Sequence, residues 1–438
     1  MGYLCKNLRP NVLILRITML ALVSSLLVSC SGTAKEKEPV TLRVMATDEY
    51  SFHASPSTAD FAAQFTDITL EPAIFDDRFA ASYAETEKAI AQLMPDVIRV
   101  PPGLYRKLAE EGKLVDLDAL IRKDHYPIDK MVPSLIDYTR AQGDGRLYGI
   151  PGWFNSKALY YNKDLFNRYQ IPYPEDQMTW EDVILLAQRF PEGEGEEESY
   201  GFHTSGYLYG EGVFILVMAE TMDLSYLDTD GNQVTINNDE WRQLFETALS
   251  GIRSGKVVIQ AELAPEKFVA GKAAMNVSYP FMAQKLDNPE YDQERLKDRV
   301  MFDWGIVTAP VNPKSPENGG WEVEMIYAIN SNSANVEAAW EYIKFIKSED
   351  RSSPGESIWA AQMQEIGGRS LEPFYKLPPK MHKREYPTVP GTFHEELPMI
   401  IQKHFAAIVG DEISVDDALN AIEEEAQLLL YQTKAEQQ

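Results

Sequence analysis

Cysteine is almost missing from this 438-residue chain: Cys5 and Cys30 are the only two, and nothing from Ser31 to Gln438 can form a disulfide. Whatever folds downstream must hold itself together by its core alone. Basic charge is also scarce, with 41 Lys and Arg against 67 Asp and Glu and a formal charge of -26. That balance excludes nucleic acid and an anionic membrane surface as natural partners, since both would repel it. No stretch after Pro39 is apolar for long enough to span a bilayer, and no fixed-period repeat occurs.

Chemistry-bearing motifs are thin as well. Neither "GKL" (112–114) nor "GKA" (271–273) completes a phosphate loop, and there is no G-x-S-x-G elbow. "HEELP" (394–398) puts Pro398 where a zinc helix needs its second histidine, and His53, His125, His203, His382 and His404 stand singly. "DTDGNQVTINND" (228–239) has Gln233 and Asp239 at the positions where a calcium loop needs glycine and glutamate, so a turn at Asp230-Gly231-Asn232 is expected. Hence no catalytic residue, metal ligand or cofactor is assigned. Paired acids for glycoside hydrolysis stay open, because such pairs come from distant positions.

At the start, Lys6, Arg9 and Arg16 precede an apolar run from Ile17 to Val28, and then come Ser29 and Cys30. A charged region, an apolar region of about a dozen residues and a small-residue site describe a signal peptide over 1–29 rather than a permanent span. Leu27-Val28-Ser29-Cys30 resembles the bacterial lipoprotein box, in which cleavage precedes a cysteine that carries diacylglycerol. Two acyl chains such as palmitate hold stably where one binds marginally. Cys30 is thus expected as a lipid attachment point, residues 30–39 as a tether, and the cell membrane's outer face as the location. Removing the three basic residues would make the chain more acidic still.

The remaining chain has the composition of a globular protein, 44% hydrophobic and 11% aromatic, and is long enough for two domains. Residues 40–46, 68–75 and 96–100 read as strands separated by helical patterns, which points to βαβ units and a mainly parallel sheet. A short helix after "PPG" should end at Gly112. Thr179 and Asp182 have capping-box spacing ahead of Val183, Leu186, Ala187 and Phe190. Further helices are expected through 335–348 and about 414–431, each with one apolar stripe. The acidic run "PEGEGEEES" (191–199) reads as a solvated loop.

Five phrases in order carry a family resemblance: "DVIRVPPGLYRKLAEEGKLVDLD" (96–118), "YGIPGWFNSKALYYNKDLFNRYQ" within 148–190, "FVAGKAAMNVSYPFM" (268–282), "WGIVTAPVNP" (304–313) and "EMIYAINSNSANVEAAWEYIKFIKSED" (324–350). Together they resemble the family 1 extracellular solute-binding proteins of ABC importers, most of which bind sugars as maltodextrin-binding protein does. The resemblance implies a periplasmic-binding-protein-like α/β fold, two lobes joined by a two- or three-segment hinge around a ligand cleft. It places crossings near Ile150–Phe154, Asn276–Tyr279 and Ile326–Asn330, giving lobe 1 as 40–153 plus 277–327 and lobe 2 as 154–276 plus 328–438. It also implies a small-molecule ligand, a carbohydrate, and permease subunits as partners of a monomer that closes on ligand.

Sugars offer apolar faces and hydroxyl edges, so aromatics and acids near strand ends are the candidate contacts. They are Asp48, Glu49 and Tyr50 after the first strand, Asp76 after the second, Trp153 beside the first crossing, Tyr207 in "TSGYLYG", Tyr279 where relatives commonly carry tryptophan, and Trp321 after "ENGG". Asp48 has helix capping as a rival role, and Trp153 has hinge packing. Two other functions stay open at this point: a secreted carbohydrate-active enzyme, and a ligand sensor feeding a signalling receptor.

Overall fold

The computed structural model describes residues 39–436 apart from 77–82, 192–198, 206–209, 261–266, 289, 291–298, 320, 352–356 and 380–388. The expected signal peptide, Cys30, nearly all of the expected tether and of the acidic run, and Tyr207 lie outside the described residues.

Val40, Leu42 and Val44 open a strand because β-branched and aliphatic residues suit a pleated surface buried on its inner face; Leu42 and Val44 are buried. This strand, β1 (Val40–Ala46), pairs in parallel with β2 (Ile68–Ile74) and with β3 (Val97–Val100). The helix Pro102–Glu110 follows β3, and Gly112 ends it at a φ of +68°, a conformation that costs glycine little. Next come β4 (Gly149–Asn155) and β5 (Ala158–Asn162). Three further strands, β6 (Tyr200–Ser205), β7 (Val257–Gln260) and β8 (Ala273–Ser278), precede β9 (Trp304–Thr308) and β10 (Glu322–Ile329).

Two five-stranded sheets result, β2-β1-β3-β10-β4 and β7-β6-β8-β5-β9. Both are mixed. β10 runs antiparallel between β3 and β4, and β5 runs antiparallel between β8 and β9. The first sheet carries the helix Val336–Ile346, whose buried Trp340 and Ile343 belong to its core. Against the second pack the helices Trp180–Ala187, Asp239–Arg253, Gly391–Val409 and Val415–Glu436. The capping box at Thr179 is present, with the Thr179 and Asp182 side chains each bonding the other's backbone N–H.

The expected division of the chain differs from this arrangement in two places. The stretch 276–279 is no crossing: Asn276, Val277 and Ser278 lie in β8, which is buried along its whole length between β5 and β6. Residues 326–329 likewise lie inside β10. A strand hydrogen-bonded on both edges cannot change sheets midway. The chain instead passes from the first sheet to the second between β4 and β5, returns between β9 and β10, and crosses again between the helices Val336–Ile346 and Gly391–Val409. Thus β9, expected with the first lobe, belongs to the second sheet, and Val336–Ile346, expected with the second, covers the first.

Part of that last crossing rests on both halves. Val132 donates to the Ile358 carbonyl, and Trp359 bridges Met131 on the first. Arg369 donates to the Trp304 carbonyl at 3.0 Å and pairs with Asp303 on the second. Ser156, in the first crossing, donates to the Phe374 carbonyl.

Candidate functional site

The carboxyl ends of β1, β3 and β4 form one edge of the first sheet, and the carboxyl end of β8 and the start of β5 form an edge of the second. Both edges flank the β4–β5 crossing. In open α/β sheets, ligands collect at such edges.

On the second sheet the core of the site is Lys157, Tyr279 and Glu220. Lys157 follows the crossing serine, Tyr279 follows β8, and Glu220 lies at the end of the helix Gly210–Thr221. The Lys157 ammonium lies 5.1 Å from the centre of the Tyr279 ring and 3.5 Å from Glu220 Oε2. Only 16% of the lysine side chain is exposed. Burial pulls its pKa down, but Glu220 and then Tyr279 outweigh it, so the ammonium is held charged. The Tyr279 ring stacks on Phe281 at 5.8 Å, and its carbonyl accepts from the buried Tyr160 hydroxyl at 2.9 Å. Tyr279 is partly buried, and its ring stands beside a cation and an acid, so apolar and polar groups lie next to one another at this edge.

On the first sheet Asp48 caps the helix Glu49–Ala54, its carboxylate accepting from the Ser51 N–H at 2.8 Å. Its other oxygen accepts from the Ser51 hydroxyl at 2.9 Å, so capping engages both carboxylate oxygens. Glu49 and Asp76 are exposed, and Tyr50 is 83% exposed. Behind them Arg99 donates to Thr47 Oγ1 at 2.9 Å, and Lys347 lies 4.4 Å from the centre of the Tyr327 ring.

Trp321 is placed otherwise than a ligand plate. It is 2% exposed, its indole donates to the Leu377 carbonyl at 2.7 Å, and its ring faces Phe154 at 5.3 Å. Gly319 makes room for that ring, since a Cβ there would lie 2.5 Å from Trp321 Cδ1. Trp153 lies in β4 opposite Met325. Sequence reasoning missed Lys157, Glu220, Arg99 and Lys347. The last two sit inside ordinary-looking phrases, "DVIRV" and "KFIKSED", and gain a neighbourhood only on folding. A cavity of about 440 Å³, lined by Arg253, Ile408 and Asp417 among others, lies on the outer helices of the second half, away from both edges. No group of His, Cys, Asp and Glu among the described residues could hold a metal ion.

The family model for bacterial extracellular solute-binding proteins matches residues 54–351. This chain belongs to that family. Among curated relatives, a binding protein of Brucella abortus is 26% identical over 47% of this chain and 48% of its own length. A maltooligosaccharide ABC transporter solute-binding lipoprotein of Streptococcus pneumoniae is 23% identical over 58% of this chain and 56% of its own. The chain thus aligns with about half the length of the curated relatives it matches. A solved family 1 extracellular solute-binding protein from Alicyclobacillus acidocaldarius covers 90% of this chain and 100% of its own, at 16% identity and a TM-score of 0.63. The fold is therefore that of the periplasmic binding proteins, as the sequence phrases imply.

Proposed function

We propose that this protein is the solute-capturing subunit of an ABC importer, with a carbohydrate as its ligand. The observation that carries this reading is the pair of sheet edges on either side of the β4–β5 crossing, one bearing Tyr279 fixed by Lys157 and the other bearing exposed Tyr50 with Asp48, Glu49 and Asp76. Gly152, beside Lys347, and Lys157 are five residues apart, so the two edges are tethered within roughly 17 Å along the chain. That separation suits a small solute. The two sheet-centred halves act as lobes, approximately 40–155 with 322–359 and 158–308 with 391–436, and closure about the crossings buries the ligand.

One sugar ring stacked on Tyr279 contributes on the order of 1 to 3 kcal/mol. Two rings and several hydrogen bonds reach micromolar binding, about -8 kcal/mol. Nothing here calls for turnover, and ATP hydrolysis would belong to partner chains. The resemblance at Leu27–Cys30 supports a lipid anchor on Cys30 and residence of a monomer at the outer membrane face.

The test is a thermal-shift panel of mono- and oligosaccharides on residues 31–438, with each hit recovered and checked for cleavage. Sugar at 100 times its Kd should stabilise the fold by about 2.7 kcal/mol. Cleaved sugar would overturn the importer reading, and a panel without a single shift would remove carbohydrate as the ligand. Labelled palmitate incorporated into the full chain but not into Cys30→Ser checks the anchor.

A further inference from the structure

Lys347 occupies a place that the sugar reading leaves unused. The helix Val336–Ile346 starts near the amino end of β3 and rises to the carboxyl edge of the first sheet, where Lys347 caps its C-terminus. A cation is favoured there by the helix dipole. Its carbonyl is pinned by the Trp359 indole at 2.8 Å, and the Tyr126 hydroxyl stands 3.5 Å away. Its ammonium donates to the Gly152 carbonyl at 2.9 Å, above the Tyr327 ring. Gly152 must be glycine for that approach, because a Cβ would stand 3.0 Å from Tyr327 Cε2. Tyr327 and Arg99 are direct partners across the β10–β3 ladder, so the guanidinium shares this face.

Two cations thus meet at one ligand-facing edge. The groups around the ammonium are Arg99 from β3, Tyr327 from β10 and the Gly152 carbonyl from β4; among the described residues no carboxylate pairs with it. The neighbouring Lys344 has Asp124 at 2.5 Å and Glu341 at 2.9 Å, and Arg351 has Asp60 at 3.0 Å. An ammonium has three donors, and the Gly152 carbonyl takes one.

We propose that the solute carries an anionic group, a phosphate or a carboxylate on a sugar or polyol, and that this group sits on Lys347 and Arg99 at the first sheet's edge. This rests on the solute-binding reading above and narrows its ligand class. Burial, followed by the like charge of Arg99, holds the Lys347 pKa down to about 8, and an arriving anion would give the Lys347 ammonium a countercharge and, above pH 8, return its proton.

The experiment compares glucose, glucose 6-phosphate, glucuronate and inorganic phosphate by calorimetry on the native chain, Lys347→Met and Lys347→Arg, at pH 7 and pH 9.5. Expected are binding of a charged member at least tenfold tighter than glucose, and, at pH 9.5, proton uptake seen as a dependence on buffer ionisation enthalpy. Affinity should fall at pH 9.5, be lost in Lys347→Met and be retained in Lys347→Arg. Equal affinity for glucose and its charged forms, or native affinity in Lys347→Met, would overturn the proposal. Should Lys347→Met not fold, the pH and buffer series on the native chain decides alone. A neutral oligosaccharide that binds while every anion fails sinks this proposal and leaves the solute-binding reading standing. Failure of all solutes, neutral and charged, sinks both.

Discussion

The Tyr279 ring is held in place by Lys157 and Phe281 beside it and by the Tyr160 hydroxyl on its carbonyl. Replacing Tyr279 by Ala should weaken binding of the sugar identified in the panel by 10- to 100-fold, about 1 to 3 kcal/mol. Tyr279→Phe should lose little, and calorimetry separates the two. Lys347 predicts an opposite kind of effect, on stability. Its ordinary pKa of 10.5 applies to the unfolded chain, and the folded value is about 8. Between those values the unfolded chain keeps a proton that the native protein has released. The contribution of Lys347 to stability therefore rises from pH 8 to about 10.5 and is at its most unfavourable below 8. Denaturant midpoints of the native chain and Lys347→Met should differ most at pH 7, with the variant more stable, and converge by pH 10.5. That Tyr279 follows directly on a strand was legible, because glycine and small residues precede it in a recognisable phrase. Lys157 and Lys347 were not, because their partners Glu220 and Gly152 lie 63 and 195 residues away.

Among the elements, the strands and helices whose signals are local were readable from the chain. The pair Thr179 and Asp182 marks the helix Trp180–Ala187 by itself, since the cap satisfies N–H groups a few residues away. Thr179→Ala should cost about 1 kcal/mol in chemical denaturation and leave ligand affinity unchanged. Asp228 tells a similar story. Its carboxylate accepts from Asn232 and Gln233 N–H, and Gly231 takes a φ of +66°, so the acidic stretch 228–239 begins with the expected turn. Strand order was not readable in the same way. "EMIYAIN" looks like any buried strand, and nothing within it says that it will run between β3 and β4. Trp321 shows the same limit. Glycines beside an aromatic do mark close approach, yet what approaches is its own ring and Leu377.

For the whole molecule, the crossings decide how the halves can move. Trp321 and Ser156 lie in the two crossings between the sheets, and both bond carbonyls of 374–377 in the third, so these three segments form one bundle. Trp321→Ala removes a buried indole and its hydrogen bond and should destabilise the protein by about 3–5 kcal/mol. If the halves close on ligand, small-angle scattering should show a smaller radius of gyration in saturating ligand, and Trp321→Ala should blunt that contraction. An unchanged radius with ligand bound would rule out closure.

The position of β10 has a further consequence, in time rather than space. β4 pairs only with β10 in the first sheet, and β10 ends at residue 329 of 438. A chain emerging amino end first, from a ribosome or through a membrane channel, therefore has β1, β2 and β3 in hand long before the strand that joins them to β4. Until then the sheet lacks its fourth strand, the one between β3 and β4, and its core is incomplete. The core of the first half is therefore completed late, by a strand that arrives after most of the second sheet has been made.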